Sequence, residues 1–343
     1  MPCCIACNSV NTPERLWYGR SAWRFVLAPL AGLFCLLVAI RRRCYRLGLK
    51  RSRRLPVPVI VVGNITLGGT GKTPLVIWLA GWLRQRGYRP GIVARGYGGQ
   101  ARHWPQQVRP DSDPAMVGDE PVLIARRSGC PMAVAPDREA AARALLEHSD
   151  CDVIISDDGL QHYALGRDIE LAVLDGVRRL GNGWCLPAGP LREPASRLQS
   201  VDAVITQGVA GRGEFRMTLV LGDAINLLDG GVKPLAEFSD DSVALAGIGN
   251  PARFFAALKQ AVGLARLETR VFPDHHAYTE PDSALLPDER PVLMTEKDAV
   301  KLQRFARKNF WCVPAHAELD SQLPQRLDKL LRDCIKRLES HDG

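Results

Sequence analysis

Residues 57–74 read VPVIVVGNITLGGTGKTP: an apolar β-branched run, a glycine-rich loop, then Lys72-Thr73-Pro74 at the head of a helix-forming segment. The run at 57–62 has the continuous apolar character of a strand buried on both faces. An amphipathic helix is expected over 74–86, with Pro74 suited to its first turn, Arg84 and Arg86 to its last, and Gly87 to its stop. Strand, glycine loop, Lys-Thr and helix in that order are the setting of a phosphate-binding loop. Glycine lets successive backbone N–H groups turn toward phosphate oxygens, and the helix N-terminus adds positive potential. The nucleotide contacts expected here are Thr66, Leu67, Gly68, Gly69, Thr70, Gly71, Lys72 and Thr73, with Lys72 on the terminal phosphates and the Thr73 hydroxyl on Mg²⁺. Thr66 stands where the pattern asks for glycine, so the first turn must be built differently.

Moving outward, apolar runs at 91–94, 132–135, 152–156, 169–174 and 201–206 alternate with helical segments at 121–128 and 137–148. That alternation predicts a P-loop NTPase-like parallel sheet with helices on both faces. A second series follows, with strands at 243–246, 291–294 and 311–313 and helices at 251–262, at 299–307 and at the C-terminus. It predicts a smaller C-terminal α/β domain. Residues 208–233 are rich in glycine and poor in regular pattern, which gives three units: 1–55, 56–210 and 211–343.

A nucleotide site of this kind needs a second acidic strand end for Mg²⁺. Val153-Ile154-Ile155-Ser156-Asp157-Asp158 supplies one, its carboxylates emerging at the C-terminal edge of a buried strand. Guanine recognition would call for Lys-x-Asp late in the chain. In Thr295-Glu296-Lys297-Asp298 the Lys and Asp are adjacent, so their side chains diverge, and ATP is the expected nucleotide.

Upstream of the strand, residues 25–40 (FVLAPLAGLFCLLVAI) carry no charge and follow Trp17, Tyr18 and Trp23. As a helix the run is about 24 Å long at about 1.5 Å per residue, short of a hydrocarbon core of roughly 30 Å, with Pro29 and Gly32 weakening its middle. It ends in Arg41-Arg42-Arg43 and not in a small-residue cleavage site, which argues against a signal peptide. Residues 41–54 hold eight basic residues and no acid, which accounts for the whole net charge of +8. One basic block beside an apolar helix points to a helix sunk into one leaflet with its arginines on anionic head groups; a buried core helix is the alternative. A nucleic-acid binder would spread its positive charge over a face, so no nucleic-acid partner is expected. The ten cysteines are scattered and suit free thiols, and Cys3, Cys4 and Cys7 lack a second Cys/His pair at zinc spacing.

Taken together, these motifs resemble the tetraacyldisaccharide 4′-kinases of lipid A biosynthesis. The resemblance covers nearly the whole chain after about residue 13 and rests on many short motifs in the same order. They include Val-Gly-Asn-Ile-Thr before the glycine loop, Arg95-Gly96-Tyr97-Gly98-Gly99, Val117-Gly118-Asp119-Glu120-Pro121 and Asp157-Asp158-Gly159-Leu160-Gln161-His162. Further on come the run 186–194 (LPAGPLREP), Phe272-Pro273-Asp274-His275-His276 and the run 295–301 (TEKDAVK). The resemblance implies transfer of the ATP γ-phosphoryl group to the 4′-hydroxyl of a tetraacylated glucosamine disaccharide 1-phosphate, with Mg²⁺, at the cytoplasmic face of a bacterial inner membrane. It implies two α/β domains with the site between them, and an acid–histidine pair that maps onto Asp119 and His275, the latter preferred over His276. Asp119 would accept the hydroxyl proton, with His275 orienting or sharing it. Read without the resemblance, Asp119 is a helix N-cap. Glu193, set among prolines, is a candidate Mg²⁺ or substrate contact or a plain loop acid. Arg95 and Arg192 are candidates for the substrate's 1-phosphate. A membrane-associated regulatory or partitioning P-loop ATPase would share the loop and the basic anchor but would not need the Asp119–His275 pair. The first dozen residues match nothing in the family's pattern.

Overall fold

The computed structural model describes residues 12–19, 21–263 and 266–340; Cys3, Cys4 and Cys7 lie outside them. The described chain opens with three helices, α1 (Thr12–Tyr18), α2 (Trp23–Val26) and α3 (Ala28–Arg46). There follow β1 (Val59–Gly63), α4 (Lys72–Gln85), β2 (Pro90–Ala94), β3 (Gln106–Val108), α5 (Pro114–Val117), α6 (Asp119–Ser128), β4 (Met132–Val134) and α7 (Arg138–His148). Next come β5 (Val153–Asp157), β6 (Ile169–Asp175), β7 (Ala203–Gln207), β8 (Phe215–Leu221), β9 (Ala224–Asn226), β10 (Val232–Lys233) and β11 (Val243–Ala246). The chain ends with α8 (Pro251–Val262), β12 (Glu268–Val271), α9 (Glu280–Ala284), β13 (Val292–Thr295), α10 (Glu296–Leu302), β14 (Phe310–Val313), β15 (Ala315–Leu319) and α11 (Gln322–Glu339).

Nine strands form one sheet in the order β15-β8-β7-β6-β1-β5-β2-β4-β3. Its interior pairings are parallel, and the edge strands β3 and β15 run antiparallel to their neighbours. β1 is central and wholly buried, as its unbroken apolar run demands, so the glycine loop leaves from the middle of the sheet beside the end of β5. Helices cover both faces. Leu75, Leu79 and Leu83 of α4 pack with Val122 and Ile124 of α6 on one face, and Ala141, Ala142 and Leu145 of α7 pack on the other. The second sheet, β10-β9-β14-β13-β11-β12, is parallel across β14-β13-β11-β12.

The expected α/β class is observed, but the division at residue 210 is not. β8 and β15 lie beyond it and extend the first sheet, and Leu323, Leu327 and Leu331 of α11 pack into the first sheet's core. The smaller unit is therefore an insertion between β8 and β15. The glycine-rich segment also holds strands: β8 mixes half-buried and exposed residues around one buried side chain, Met217, a weaker pattern than a central strand gives.

α3 takes in the apolar run from Ala28 and half of the basic block. Pro29 sits in its first turn, where a missing N–H is harmless, so it does not weaken the middle as expected. Phe34 and Cys35 dock on the first sheet's core and Ala31 is buried, while Leu30, Leu33, Leu36, Leu37 and Ile40 remain exposed. No helix among the described residues is long and apolar enough to cross a membrane. The free-thiol expectation fails at one pair, because Cys35 of α3 is joined to Cys185 by a disulfide.

Candidate active site

The 186–192 segment braces the glycine loop. Leu67 N–H donates to Pro190 O, Arg192 N–H donates to Ile65 O, and Thr66 forms an antiparallel bridge with Leu191. This pairing builds the first turn without the expected glycine. It also buries Thr66 to 3 % exposure behind the loop, so the expected phosphate contact becomes a bracing residue, while Leu67 to Thr73 line the cleft. This segment and Asn182 just before it also hold α1: Trp17 Nε1–H donates to Pro187 O, and Asn182 N–H donates to Trp17 O. Residues 182–192 thus touch both α1 and the nucleotide loop.

The loop opens onto a cavity of about 810 Å³ between the two sheets. Gly71 caps α4 in the left-handed region (φ +90°), and a Cβ there would press on Gln207 and Met217 at 3.0 Å. Lys72 Nζ donates to Asn64 Oδ1 (3.1 Å) and lies 3.4 Å from Asp158 Oδ1. Arg192 pairs with the same carboxylate at 2.9 Å. Burial would raise the Asp158 carboxyl, but Lys72 and then Arg192 outweigh it and hold it well below the usual range. Arg192 is thereby committed to Asp158, whereas Arg95 lines the cleft with no ion-pair partner among the described residues.

Asp157 is in the opposite condition. It is 3 % exposed and its Oδ1 has no hydrogen-bond partner. Burial, and next the charge of Glu120, push it up to about 7, with Lys72 working against them. An orphaned buried carboxylate oxygen lining the same cleft as Thr73 is what a hard divalent cation would satisfy, and the buried Thr70 hydroxyl is likewise unpartnered. No cluster of three or more His, Cys, Asp or Glu suited to a metal occurs among the described residues. Mg²⁺ binds through one or two protein oxygens plus substrate phosphates, so Thr73 and Asp157 fit it. Asp157→Asn is expected to raise the unfolding temperature of the nucleotide-free protein above pH 7, where the buried charge costs most. The gain should vanish as the pH falls below the ordinary carboxylate range, since Asp157 is then neutral folded and unfolded alike. Thermal unfolding across pH checks this.

On the far wall, His275 Nδ1 lies 3.1 Å from Asp119 Oδ1 and 3.2 Å from Oδ2. Asp119 is the first residue of α6 and Gly118 holds the cap, so the N-cap alternative does not describe it. Burial acts to raise Asp119, but His275 and then Lys301 and Lys297 overcome it and hold the carboxyl far below its ordinary value. The hydrogen bond to Asp119 raises His275 in turn, against burial. His275 adopts φ +58°, a strained conformation for a side-chain-bearing residue. His276 points elsewhere, its Nε2 3.1 Å from Asp282 and its ring against Phe272 and Tyr278.

Glu193 departs from its expected role. It is 1 % exposed, and its oxygens accept from Gln161 Nε2 (2.9 Å) and Tyr163 Oη (2.5 Å), with Arg197 Nε 3.5 Å away. It is a buried support for Gln161. Four groups at the site escaped sequence reasoning. Asn64 holds Lys72; Glu120 faces the cleft, paired with Lys297 of α10; and Lys301 lies 3.5 Å from Asp119 Oδ2. The motifs around them contained each of these residues, but the pairs made by Lys297 and Lys301 depend on how α10 packs against α6, and that of Asn64 on the path of the glycine loop.

The sequence model of the family described as Tetraacyldisaccharide-1-P 4′-kinase matches residues 23–332. The tetraacyldisaccharide 4′-kinase of Nitrosococcus oceani is 56% identical over 324 residues, covering 94% of this chain and 95% of the relative. That of Aeromonas salmonicida is 51% identical over 322 residues, covering 93% and 95%. The crystal structure of LpxK from Aquifex aeolicus in complex with ATP superimposes with a TM-score of 0.76 at 29% identity, over 90% of this chain and 99% of that one.

Proposed function

The chain belongs to the tetraacyldisaccharide 4′-kinase family, and from that premise we propose which of its residues carry the phosphoryl transfer and where the transfer occurs. The enzyme moves the γ-phosphoryl group of ATP to the 4′-hydroxyl of a tetraacylated glucosamine disaccharide 1-phosphate, with ATP and Mg²⁺ as cofactors. The observation that carries the residue assignment is the pairing of Asp119 with His275 across a cleft whose other wall is the glycine loop.

In this reading the backbone of residues 67–73 and Lys72 hold the ATP phosphates. Thr73 and Asp157 hold Mg²⁺, which neutralises phosphate charge when bound. Lys72 leaves Asn64 and Asp158 for the γ-phosphoryl oxygens, while Arg192 keeps Asp158 compensated. His275 accepts the 4′-hydroxyl proton, because a carboxylate held as low as Asp119 is a weak base, whereas an imidazole raised by a hydrogen bond is a better one. Asp119 accepts the Nδ1–H of His275 and so presents Nε2 to the acceptor sugar. This inverts the expected roles within the pair.

The pH profile tests the assignment. His275 must be neutral to accept a proton, so kcat should fall as pH drops through its raised pKa. Asp119→Asn should lower the maximal rate and move that acid limb to lower pH. An unmoved limb would return the base role to another group.

The lipid acceptor requires a membrane surface, since its acyl chains cost about 0.8 kcal/mol per CH₂ to bring into water. The exposed apolar face of α3, the aromatics Trp17, Tyr18 and Trp23 before it, and the basic block after it support attachment to an anionic leaflet at the cytoplasmic face. Replacing Leu30, Leu33 and Leu37 with glutamine keeps the docked face of α3. It should weaken vesicle binding by about 100-fold or more and raise KM for lipid without changing ATP affinity. Vesicle co-sedimentation and nucleotide titration read the two effects separately.

A further inference from the structure

A second cavity, of about 300 Å³, lies beneath the C-terminal end of α3, separate from the cleft. It is lined by Arg42 and Arg46 from α3, by Arg54, and by Arg167 and Arg197 from the first sheet's loops. Glu170 is the one acid lining it, and that carboxylate is already shared between Arg167 and Arg197. Among the described residues no carboxylate sits at ion-pair distance from Arg42, Arg46 or Arg54. Two guanidinium groups instead converge on one neutral oxygen: Ser200 Oγ accepts from Arg42 Nη2 (2.6 Å) and from Arg197 Nη1 (2.8 Å). Burial, and next the facing Arg197, both disfavour the charge on Arg42. Cations gathered around a hydroxyl, with too little negative charge to balance them, form a seat for an oxyanion.

The placement says which oxyanion. Ile40 is the last exposed apolar residue of α3, and Arg42 and Arg46 follow it by about 3 to 9 Å along the helix axis. If the apolar face lies in hydrocarbon, the cavity opens at the depth of phosphate head groups. The acceptor's own phosphate is a poorer occupant, because Tyr163, Glu193 and Gln161 stand bonded in series between this cavity and the cleft.

We propose that the Arg42–Arg46–Arg54 cavity is a binding site for the headgroup phosphate of an anionic membrane phospholipid. The proposal rests on the membrane-surface reading above and goes beyond it, since diffuse attraction needs only charge whereas a seat needs the planar fork of arginine. The test conserves charge. Full-length protein carrying R42K and R46K, and a control carrying R43K and R51K outside the cavity, are compared with the parent on phosphatidylcholine vesicles with and without phosphatidylglycerol. The site predicts that the first variant loses about tenfold of the preference for phosphatidylglycerol and the control none. Equal behaviour of the two variants would overturn the site in favour of diffuse charge. In a second arm, water-soluble dihexanoylphosphatidylglycerol should bind saturably to the parent and not to the R42K/R46K variant. Inorganic phosphate and glucosamine 1-phosphate should not displace it at equal concentration. Displacement by either would reassign the cavity to free or sugar phosphate. If the parent ignores vesicles but still binds the soluble lipid, the membrane reading fails and the site stands.

Discussion

Lys72→Ala is expected to lower kcat by at least about three orders of magnitude while leaving the protein folded. Phosphoryl transfer relies almost wholly on positioning and charge neutralisation, and Lys72 is the cation at the helix end of the glycine loop. In the nucleotide-free protein its ammonium is held by Asn64 and Asp158, which it leaves for the phosphates. Removing it leaves Asp158 paired with Arg192 and unpairs only the neutral Asn64 Oδ1, at the edge of the space the side chain vacates. Unfolding temperature should therefore change little, which separates a lost catalytic charge from a lost fold. Steady-state turnover and thermal unfolding on one preparation check both halves, and near-normal turnover would remove the loop from the catalytic account.

Asp119→Ala and His275→Ala should each reduce kcat by about 10²- to 10⁴-fold with little change in nucleotide affinity, since both act on the acceptor. The double variant should be scarcely worse than the worse single one, because a proton acceptor and the carboxylate that orients it fail as a unit. Asp119→Ala carries a second effect: Lys301, 9 % exposed, would lose the nearer of its two carboxylates and keep only Asp298 at 3.6 Å. A fall in stability is expected there and not in His275→Ala, so Asp119→Asn is the cleaner probe. His276→Ala should spare kcat, because that ring is engaged with Asp282 at the cap of α9. Multiplicative losses for Asp119 and His275 would dissolve the pair even if each residue matters.

The sequence was most readable where structure is local or repeats with a clear period. The central strands, the glycine loop and α8 declare themselves by apolar runs and punctuation, and α8 falls on its expected residues. β8 and β15 did not. They pair antiparallel with each other at one margin of the sheet, 94 residues apart from Leu221 to Ala315, and carry mostly half-exposed side chains, so a short apolar–polar alternation and not a buried apolar run was all that announced them. The insertion of the smaller unit between them followed from that omission. Within the site, residues sharing a motif were legible as candidates, but what each one does depended on partners distant in sequence. Glu193 resembles a metal contact until Gln161, Tyr163 and Arg197 are seen around it. Thr66 resembles a phosphate contact until Leu191 is seen behind it. Lys301 had no visible task until the packing of α10 brought it to Asp119.

The most direct measurement follows the label from γ-labelled ATP in the presence of Mg²⁺ and a tetraacylated glucosamine disaccharide 1-phosphate presented in mixed micelles. The account predicts that the parent protein moves label to the 4′ position of the lipid, with little released to water. It predicts that the His275→Ala protein binds ATP but leaves the label there. Label released as inorganic phosphate at the same rate with or without the lipid would contradict it and describe a membrane-associated ATPase instead.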